Sequence, residues 1–540
     1  MKPTKPTRSL CRAIAGITVV ALLTAGCGGG SKDTAAQQQN TVASNAPAAP
    51  ADAQTAGAPA TDAKAPAAAQ PAADAKAPAA AAATDTGKQP ASTKSTGSSK
   101  SSGSSKSSGT ASGTDKKADT SATGIAALMK QQAILGGTGA CKPATGTPVA
   151  IGNVSTLSGL LGEQFAPVQP ALKTFIASQN ACGGIAGHPI DFHIADGQDD
   201  PATSVTVAGR MIDQYHVVAF MGNIMPFTID AFAKFAASKG IPVIGGDLTT
   251  NVWFSDPYVF PEGAPPQAEG AGWAQQAKAL GVHKVGIAYC IEVPQACTVI
   301  DKSFTESAAK LGLEVVYNGQ GSFTQPDFTP QCLAAKQSGA EVMVPVLDAP
   351  GANRFARDCK KVGYTPQFMI YALGVGNEKQ FFGVPELGNS YVPLNSFPWM
   401  AGAGAFPGNP AMQYWQKQVA RFNPGFSSGG AASLGWQSGA LLIAAATASP
   451  SISPNKPVTT QNLLDGLWQF QGQEWTTLGG LAPPLAFGKD KTPTVPYCTF
   501  AATSNGNNTA WAKVDTTIRC SDFRVPSDPQ ASAKNPALPK

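Results

Sequence analysis

From Pro148 onwards the sequence alternates between short apolar stretches and segments of helical length, and this alternation constrains the fold more than any other feature. Strands that alternate with helices of roughly 10 to 15 residues indicate parallel, doubly wound sheets. The globular part, residues 124–540, exceeds the ~250 to 300 residues at which one hydrophobic core stops growing. We therefore predict an α/β fold with two sheets and a boundary near residues 265–272. The predicted strands cover residues 149–154, 190–195, 217–222, 241–245, 285–290, 313–317, 342–347 and 367–371.

The N-terminus predicts export. Residues 1–27 run from a basic stretch into an apolar segment, 13–23, that is too short to span a bilayer. The segment leads to Ala25-Gly26-Cys27, and small residues directly before a cysteine resemble a bacterial lipobox, in which the cysteine thiol is lipidated. This pattern predicts a lipoprotein signal peptide, with Cys27 anchored to the extracytoplasmic side of the cell membrane. The alternative is an ordinary signal peptide in which Cys27 occurs by chance.

Residues 28–123 predict a disordered tether. They contain no Phe, Trp, Tyr, Ile or Leu, and the run DAKAPAAA occurs in them twice, at 62–69 and 74–81. A segment with so few apolar side chains to bury cannot offset the entropy that it would lose on ordering. As a flexible coil it would span roughly 50 to 60 Å, enough to hold a domain away from a membrane. A plain linker is the simpler interpretation, and a glycosylated spacer is the alternative.

The charge balance of the globular part argues against a nucleic-acid partner. Residues 124–540 carry 26 basic and 27 acidic side chains, so there is no net positive charge to follow a phosphate backbone. The chain also contains no apolar run of 18 residues, which excludes a polytopic membrane protein.

Eight cysteines lie beyond the tether, and an even number in an exported chain predicts disulfides. Neighbours in sequence suggest four pairs. A zinc site is a poor alternative, because no CxxC occurs and the four histidines are scattered, so we predict no metal. The disulfide candidates are Cys141 with Cys182, Cys290 with Cys297, Cys332 with Cys359, and Cys498 with Cys520.

No catalytic or cofactor-binding motif follows the predicted strands. GxGxxG is absent after the first strand, GxxxxGK[ST] does not occur in the chain, and no GxSxG elbow follows a predicted strand. We therefore predict neither an enzyme nor a cofactor. Parallel sheets bind ligands beyond the carboxyl ends of their strands, so the informative loops follow residues 154, 222, 245, 290, 347 and 371.

Three blocks in the first part of the globular region resemble a known family. They are Leu157-Ser158-Gly159, the run NACGGIAG at 180–187 and the run DGQDDP at 196–201. Together they are similar to the leucine/isoleucine/valine-binding type of extracytoplasmic solute-binding protein. The run IPVIG at 241–245 continues the resemblance, which extends over residues 147–488.

The resemblance implies the type I periplasmic-binding-protein fold, with two Rossmann-like lobes joined by three crossing segments. It also implies that a solute is trapped in the cleft between the lobes and is delivered to an ABC permease. Lobe 1 would comprise residues 147–266 and 397–488, and lobe 2 would comprise residues 267–396 and 489–525.

The family's binding residues transfer only in part. The resemblance places Pro226 where the amino-acid binders have a serine that holds the ligand carboxylate. Leu373 stands where they have an acid for the ligand ammonium, and Ala296 stands where an aromatic side chain covers the ligand. Thr249 matches a threonine of the family. A buried ammonium without a counter-charge costs on the order of several kcal/mol, so a free amino acid would fit poorly.

The resulting hypothesis is a solute-binding protein of an ABC importer whose ligand is an amide, an aromatic carboxylate or a similar metabolite. Asp247, Glu292 or Asp348 would have to replace the missing acid if the ligand is an amino acid. Two other classes compete: a ligand-sensing receptor on the same fold, and an extracellular hydrolase. The ligand-binding candidates are Leu161, Met225, Pro226, Phe227, Asp247, Leu248, Thr249, Glu292, Ala296, Asp348 and Leu373.

Overall fold

The computed structural model describes residues 122–400, 408–426, 428–471, 475–489 and 491–532. All of them belong to one compact unit, 108–540. The predicted signal peptide, the lipidation site Cys27 and most of the predicted tether lie outside the described residues. The end predicted for the tether is wrong by two residues, because residues 122 and 123 already belong to the first helix.

The first sheet has five parallel strands in the order β2-β1-β3-β4-β5. The strands β3 and β4 are buried along their whole length, as expected for a parallel sheet with helices on both faces. We call this sheet and its helices lobe 1. Its strands are β1 (Val149–Ser155), β2 (Ile190–Asp196), β3 (Ala219–Asn223), β4 (Val243–Gly246) and β5 (Val259–Phe260). Its helices are α1 (Ala122–Met129), α2 (Gly162–Phe165), α3 (Val168–Asn180), α4 (Pro201–Tyr215), α5 (Ile229–Ser238), α11 (Pro410–Phe422), α12 (Gly430–Ala448) and α13 (Thr460–Leu467).

The second sheet has four parallel strands in the order β7-β6-β8-β9. We call this sheet and its helices lobe 2. Its strands are β6 (Lys284–Cys290), β7 (Glu314–Gly321), β8 (Val342–Val346) and β9 (Gln367–Phe368). Its helices are α6 (Pro266–Ala279), α7 (Pro294–Lys310), α8 (Thr329–Ser338), α9 (Ala349–Lys361) and α10 (Glu378–Phe381).

Three further strands form an antiparallel sheet at the edge of lobe 2. They are β10 (Tyr391–Leu394), β11 (Cys498–Ser504) and β12 (Trp511–Cys520), in that order. The sheet continues lobe 2, because Met369, just after β9, forms a parallel bridge with Tyr391 on β10.

The prediction of two parallel α/β sheets is confirmed, and a strand occurs in each of the eight predicted stretches. The largest differences lie at two stretches. The strand predicted at 313–317 continues to Gly321, because its polar end pairs with β6. The strand predicted at 367–371 already ends at Phe368. The sequence analysis missed β5, β10, β11 and β12.

The chain crosses between the lobes three times: after β5, after β10 and before β11. Two of the crossings lie against each other, because the Ala264 N–H donates to the Asn395 carbonyl at 2.9 Å. A Cβ on Gly263 would come within 2.4 Å of that carbonyl oxygen, so a larger residue cannot occupy the position without displacing the second crossing. Gln437 on α12 holds both segments: its amide donates to the Glu262 carbonyl and accepts from the Phe397 N–H.

Helix α12 is buried on nearly every side, between α3 and the strands β3 and β4. Its small residues permit close packing: a Cβ on Gly439 would come within 2.5 Å of the Phe175 ring. Ser438 is likewise a packing residue, with a hydroxyl that donates to the Leu434 carbonyl at 2.7 Å. Within the described residues, no helix combines the length and the apolar character that a membrane span requires.

The four predicted disulfide pairings are confirmed. Cys332 and Cys359 join α8 to α9 and are fully buried. Cys290 at the end of β6 is bonded to Cys297 in the first turn of α7. Cys498 and Cys520 lie directly opposite each other on β11 and β12, where cross-strand side chains are close enough to bond.

We expect the Cys332–Cys359 disulfide to contribute more stability than the Cys290–Cys297 disulfide. The first closes a loop with a sequence separation of 27 and the second a loop of 7. The chain-entropy relation then gives about 3.5 kcal/mol against about 2.5 kcal/mol. Urea unfolding of the two double-alanine variants, under oxidising conditions, measures both values. A larger loss for the Cys290–Cys297 variant would contradict the expectation.

Candidate functional site

A cavity with about 400 Å³ of empty space, part of it open to solvent, lies between the carboxyl ends of the strands of the two lobes. This is the position at which parallel α/β sheets bind ligands. Only about 40 Å³ of it is open to the centre of a water molecule, well below the roughly 300 to 1,000 Å³ that is typical of small-molecule sites, so the cleft is tight in this structure. Six of the eleven predicted ligand-binding residues line it: Leu161, Pro226 and Thr249 from lobe 1, and Ala296, Asp348 and Leu373 from lobe 2.

The other five predicted residues, Met225, Phe227, Asp247, Leu248 and Glu292, do not line this cavity. Met225 and Leu248 are instead fully buried in the core of lobe 1. Leu248 has a backbone φ of 58°, and this left-handed conformation turns the chain at the end of β4. Glu292 faces its own lobe, where its carboxylate accepts from the Ser322 hydroxyl and, at 2.8 Å, from the Phe323 N–H.

Asp247, fully buried just after β4, organises the edge of lobe 1 beside the cavity. Its Oδ2 accepts from the Met225 N–H at 2.8 Å, and its Oδ1 accepts from the Thr249 N–H at 3.0 Å. Oδ1 also accepts from the Thr249 hydroxyl at 2.5 Å and from Trp253 Nε1–H at 3.2 Å. Burial raises the pKa of Asp247, and these donors oppose the rise because they stabilise the charged form.

The close approach of β4 to its neighbours requires glycine at position 246. A Cβ there would come within 2.1 Å of the Asn223 carbonyl oxygen and 2.2 Å of the Trp253 ring. Trp253 can therefore lie flat against the strand end and reach Asp247. The sequence run Gly245-Gly246-Asp247 thus encodes a buried carboxylate with its donors, rather than an open binding loop.

Asp348 lies at the start of α9, where its Oδ1 accepts from the Gly351 N–H at 3.0 Å and caps the helix. Burial raises its pKa, and the positive charge of Arg354 opposes that rise. Among the described residues, no group of three or more His, Cys, Asp or Glu side chains is placed to hold a metal ion.

Gln164, on α2 of lobe 1, bridges the cleft, and the sequence analysis did not identify it. Its Nε2–H donates to the Leu373 carbonyl at 2.7 Å, and its Oε1 accepts from the Ala349 N–H at 3.1 Å. A second contact lies beside it, because Asn377 Nδ2–H donates to the Glu163 carbonyl at 3.2 Å. These hydrogen bonds hold the two lobes together across the cavity.

Tyr371 and Glu269 were also missed. Tyr371 lines the cavity, and its hydroxyl is buried with no hydrogen-bond partner in the described part of the chain. Glu269, on α6, is fully buried; its Oε2 accepts from the Ala372 N–H at 3.1 Å, and its Oε1 has no partner there. Burial raises the pKa of Glu269 to about 8, so its carboxyl is largely protonated at neutral pH.

We expect Glu269 to make the protein less stable as the pH rises. Its pKa is raised from 4.5 to about 8 on folding, so the native state holds its proton more tightly between those values. The stabilisation is complete below pH 4.5 and is lost as the pH rises through 8, at up to about 1.4 kcal/mol per pH unit. Glu269→Gln should flatten this part of the pH profile of the free energy of unfolding. The control is Glu163→Gln at an exposed position, and an unchanged slope in Glu269→Gln would contradict the assignment.

Comparison with known proteins agrees with this geometry. Residues 148–507 match the profile of a family described as "Periplasmic binding protein". No curated protein sequence matches the chain. Several solved structures share the fold at low sequence identity.

Three solved structures illustrate the similarity. A branched chain amino acid ABC transporter protein from Thermus thermophilus with bound valine has a TM-score of 0.56 at 13% identity, covering 69% of this chain and 97% of its own. A solute-binding protein from R. palustris in complex with benzoate has a TM-score of 0.55 at 15% identity. The match covers 69% of this chain and 98% of that one. A fatty acid ABC transporter substrate-binding protein from Thermomonospora curvata has a TM-score of 0.56 at 14% identity. The match covers 74% of this chain and 97% of that one. The family match, the two lobes and the cavity between the strand ends agree: this chain belongs to the periplasmic binding proteins, a family of extracytoplasmic solute-binding proteins.

Proposed function

We propose that this protein is a lipid-anchored, extracytoplasmic receptor that captures a small organic solute between its lobes and delivers it to an ABC importer. The observation that carries the proposal is the cavity, which is walled by strand-end residues of both lobes and bridged by Gln164. Such a cavity encloses a solute only when the lobes are together, which is how a hinged receptor operates.

The chemistry of the wall supports a solute that is less polar than a free amino acid. Pro226, Ala296 and Leu373 all line the cavity, and each is apolar. Two of the similar proteins named above are described with benzoate and fatty acid, which have a large apolar part, whereas the third is described with valine, a free amino acid.

The wall argues against the hydrolase alternative. None of the lining residues that the structure describes is a histidine, and the two cysteines among them, Cys290 and Cys297, are joined in a disulfide. Thr249 has a hydroxyl beside a carboxylate, but that carboxylate, Asp247, is fully buried and accepts the hydroxyl as one of its four donors. Neither a histidine nor a free thiol is therefore available as base or nucleophile among the described lining residues. Copurification of a permease with the anchored protein would distinguish import from the sensing alternative.

We expect Gln164→Leu to open the cleft in the absence of solute. The variant removes two hydrogen bonds across the cleft, each contributing about 1 kcal/mol, so the ratio of closed to open molecules should fall about 10- to 30-fold. Small-angle X-ray scattering should show a larger radius of gyration. The matched control is Gln179→Leu, which removes a buried amide whose partner, the Gly184 carbonyl, lies in the same lobe. Equal radii for the two variants would contradict the role of Gln164.

We expect Cys27→Ala to release the protein from the membrane fraction. A lipid chain contributes about 0.8 kcal/mol per buried CH₂, whereas the tether has almost no apolar side chains to contribute. Cys11→Ala is the control, because Cys11 lies in the basic stretch that signal cleavage would remove. Fractionation and immunoblotting of both variants measure the effect, and membrane retention of Cys27→Ala would refute the anchor.

A further inference from the structure

The hydrogen-bond donors at the lobe 1 edge of the cleft are already used within the protein. The Met225 N–H, the Thr249 N–H and the Thr249 hydroxyl all donate to the carboxylate of Asp247. Three of the four donors to that carboxylate are N–H groups, which is the pattern of an ionised acceptor. A solute carboxylate would therefore find no free donor in this loop and would meet a negative charge beside it.

The rest of the wall offers nothing to balance a charged solute. Among the described residues that line the cavity there is no Lys, Arg or His, and Asp348 is the one carboxylate. An anionic solute would be desolvated without a cation, which is costly. A cationic solute would have Asp348 as its one described counter-ion in the wall, and Asp348 already caps α9 through Oδ1 within the field of Arg354.

One polar atom of the wall lacks a partner. The Tyr371 hydroxyl is buried and unpaired in the described part of the chain, and a buried hydroxyl left unpaired is unfavourable. The groups that act on it electrostatically are Glu269 from α6 and Asp247 from lobe 1. Burial and these two groups raise the pKa of Tyr371 well above its ordinary value, so the hydroxyl keeps its proton and remains a hydrogen-bond donor.

Building on the proposed function, we propose that the cleft takes an uncharged, largely apolar solute with one carbonyl-type oxygen, which accepts a hydrogen bond from the Tyr371 hydroxyl. The apolar body of the solute lies against Phe165, Phe323 and Leu347, which line the cavity together with the Cys290–Cys297 disulfide. The carbonyl oxygen supplies an acceptor for this hydroxyl, the one buried side-chain polar atom without a partner among the described lining residues.

The ligand class is tested with solutes that share a skeleton and differ in charge. The aromatic set is benzamide, benzoate and benzylamine, and the aliphatic set is 4-methylpentanamide, 4-methylpentanoate, isopentylamine and leucine. Calorimetric titration of the full-length protein should show that each amide binds at least about tenfold more tightly than the charged members of its set.

The role of Tyr371 is tested with two matched variants. Tyr371→Phe removes an unpaired hydroxyl, so the melting temperature of the solute-free protein should not fall, whereas the affinity for the amides should fall about tenfold. Tyr364→Phe is the control: Tyr364 lies in the same lobe at the same 8% exposure, but its hydroxyl donates to the Ala340 carbonyl at 2.7 Å. This control should melt about 2 to 4 °C lower and bind the amides unchanged.

The outcomes separate this inference from the proposed function. Tighter binding of benzoate, the amines or leucine would leave the receptor function standing and would overturn the uncharged ligand class. The role of the hydroxyl would be overturned if the melting temperature of Tyr371→Phe fell as far as that of Tyr364→Phe. It would also be overturned if Tyr371→Phe bound the amides with unchanged affinity. Failure of every solute in both sets to bind would overturn the ligand class, whereas the proposed function would fall only if the anchored protein captured no solute and copurified with no permease.

Discussion

The buried carboxylate of Asp247 determines what the cleft can hold. It lies at the end of β4 and collects donors from the loop after β3, from its own loop and from Trp253. These contacts fix the edge of lobe 1 without any solute, because they satisfy the polar groups that burial would otherwise leave unpaired. The same hydrogen bonds occupy donors that could otherwise bind a solute. They therefore account both for the rigidity of this edge and for its proposed selectivity.

The closed arrangement of the lobes depends on contacts of a different kind. Gln437 holds two of the crossing segments together from within lobe 1, while Gln164 reaches across the cavity to the backbone of lobe 2. The first amide is part of the hinge and need not break when the cleft opens. The second must break, together with the Asn377–Glu163 hydrogen bond beside it, before the lobes can separate.

The sequence was sufficient to predict the two parallel sheets, because strand and helix periodicities are local and repeat along the chain. It was also sufficient for the position of the cleft, because parallel strands end at a common edge. It could not reveal Gln164, whose partners Leu373 and Ala349 lie 209 and 185 positions away. Asp247 was predicted, as an alternative to Glu292 and Asp348, to face a ligand ammonium if the ligand is an amino acid, and no local pattern shows that Met225 and Trp253 saturate it. The hairpin of β11 and β12 was missed because it follows a region of α/β alternation and breaks it.

The wall of the cavity is unevenly divided, and this asymmetry gives the lobes different parts in binding. Lobe 2 supplies eleven of the sixteen lining residues, including Tyr371 and the disulfide, and lobe 1 supplies five. A solute bound as proposed would therefore gain most of its contacts, and the hydrogen bond from Tyr371, from lobe 2 alone while the cleft is open. Lobe 1 adds its apolar contacts, from Leu161, Phe165 and Pro226, only when the cleft closes. A solute favours the closed state over the open state only by the contacts that it gains on closure. These apolar contacts would therefore drive closure.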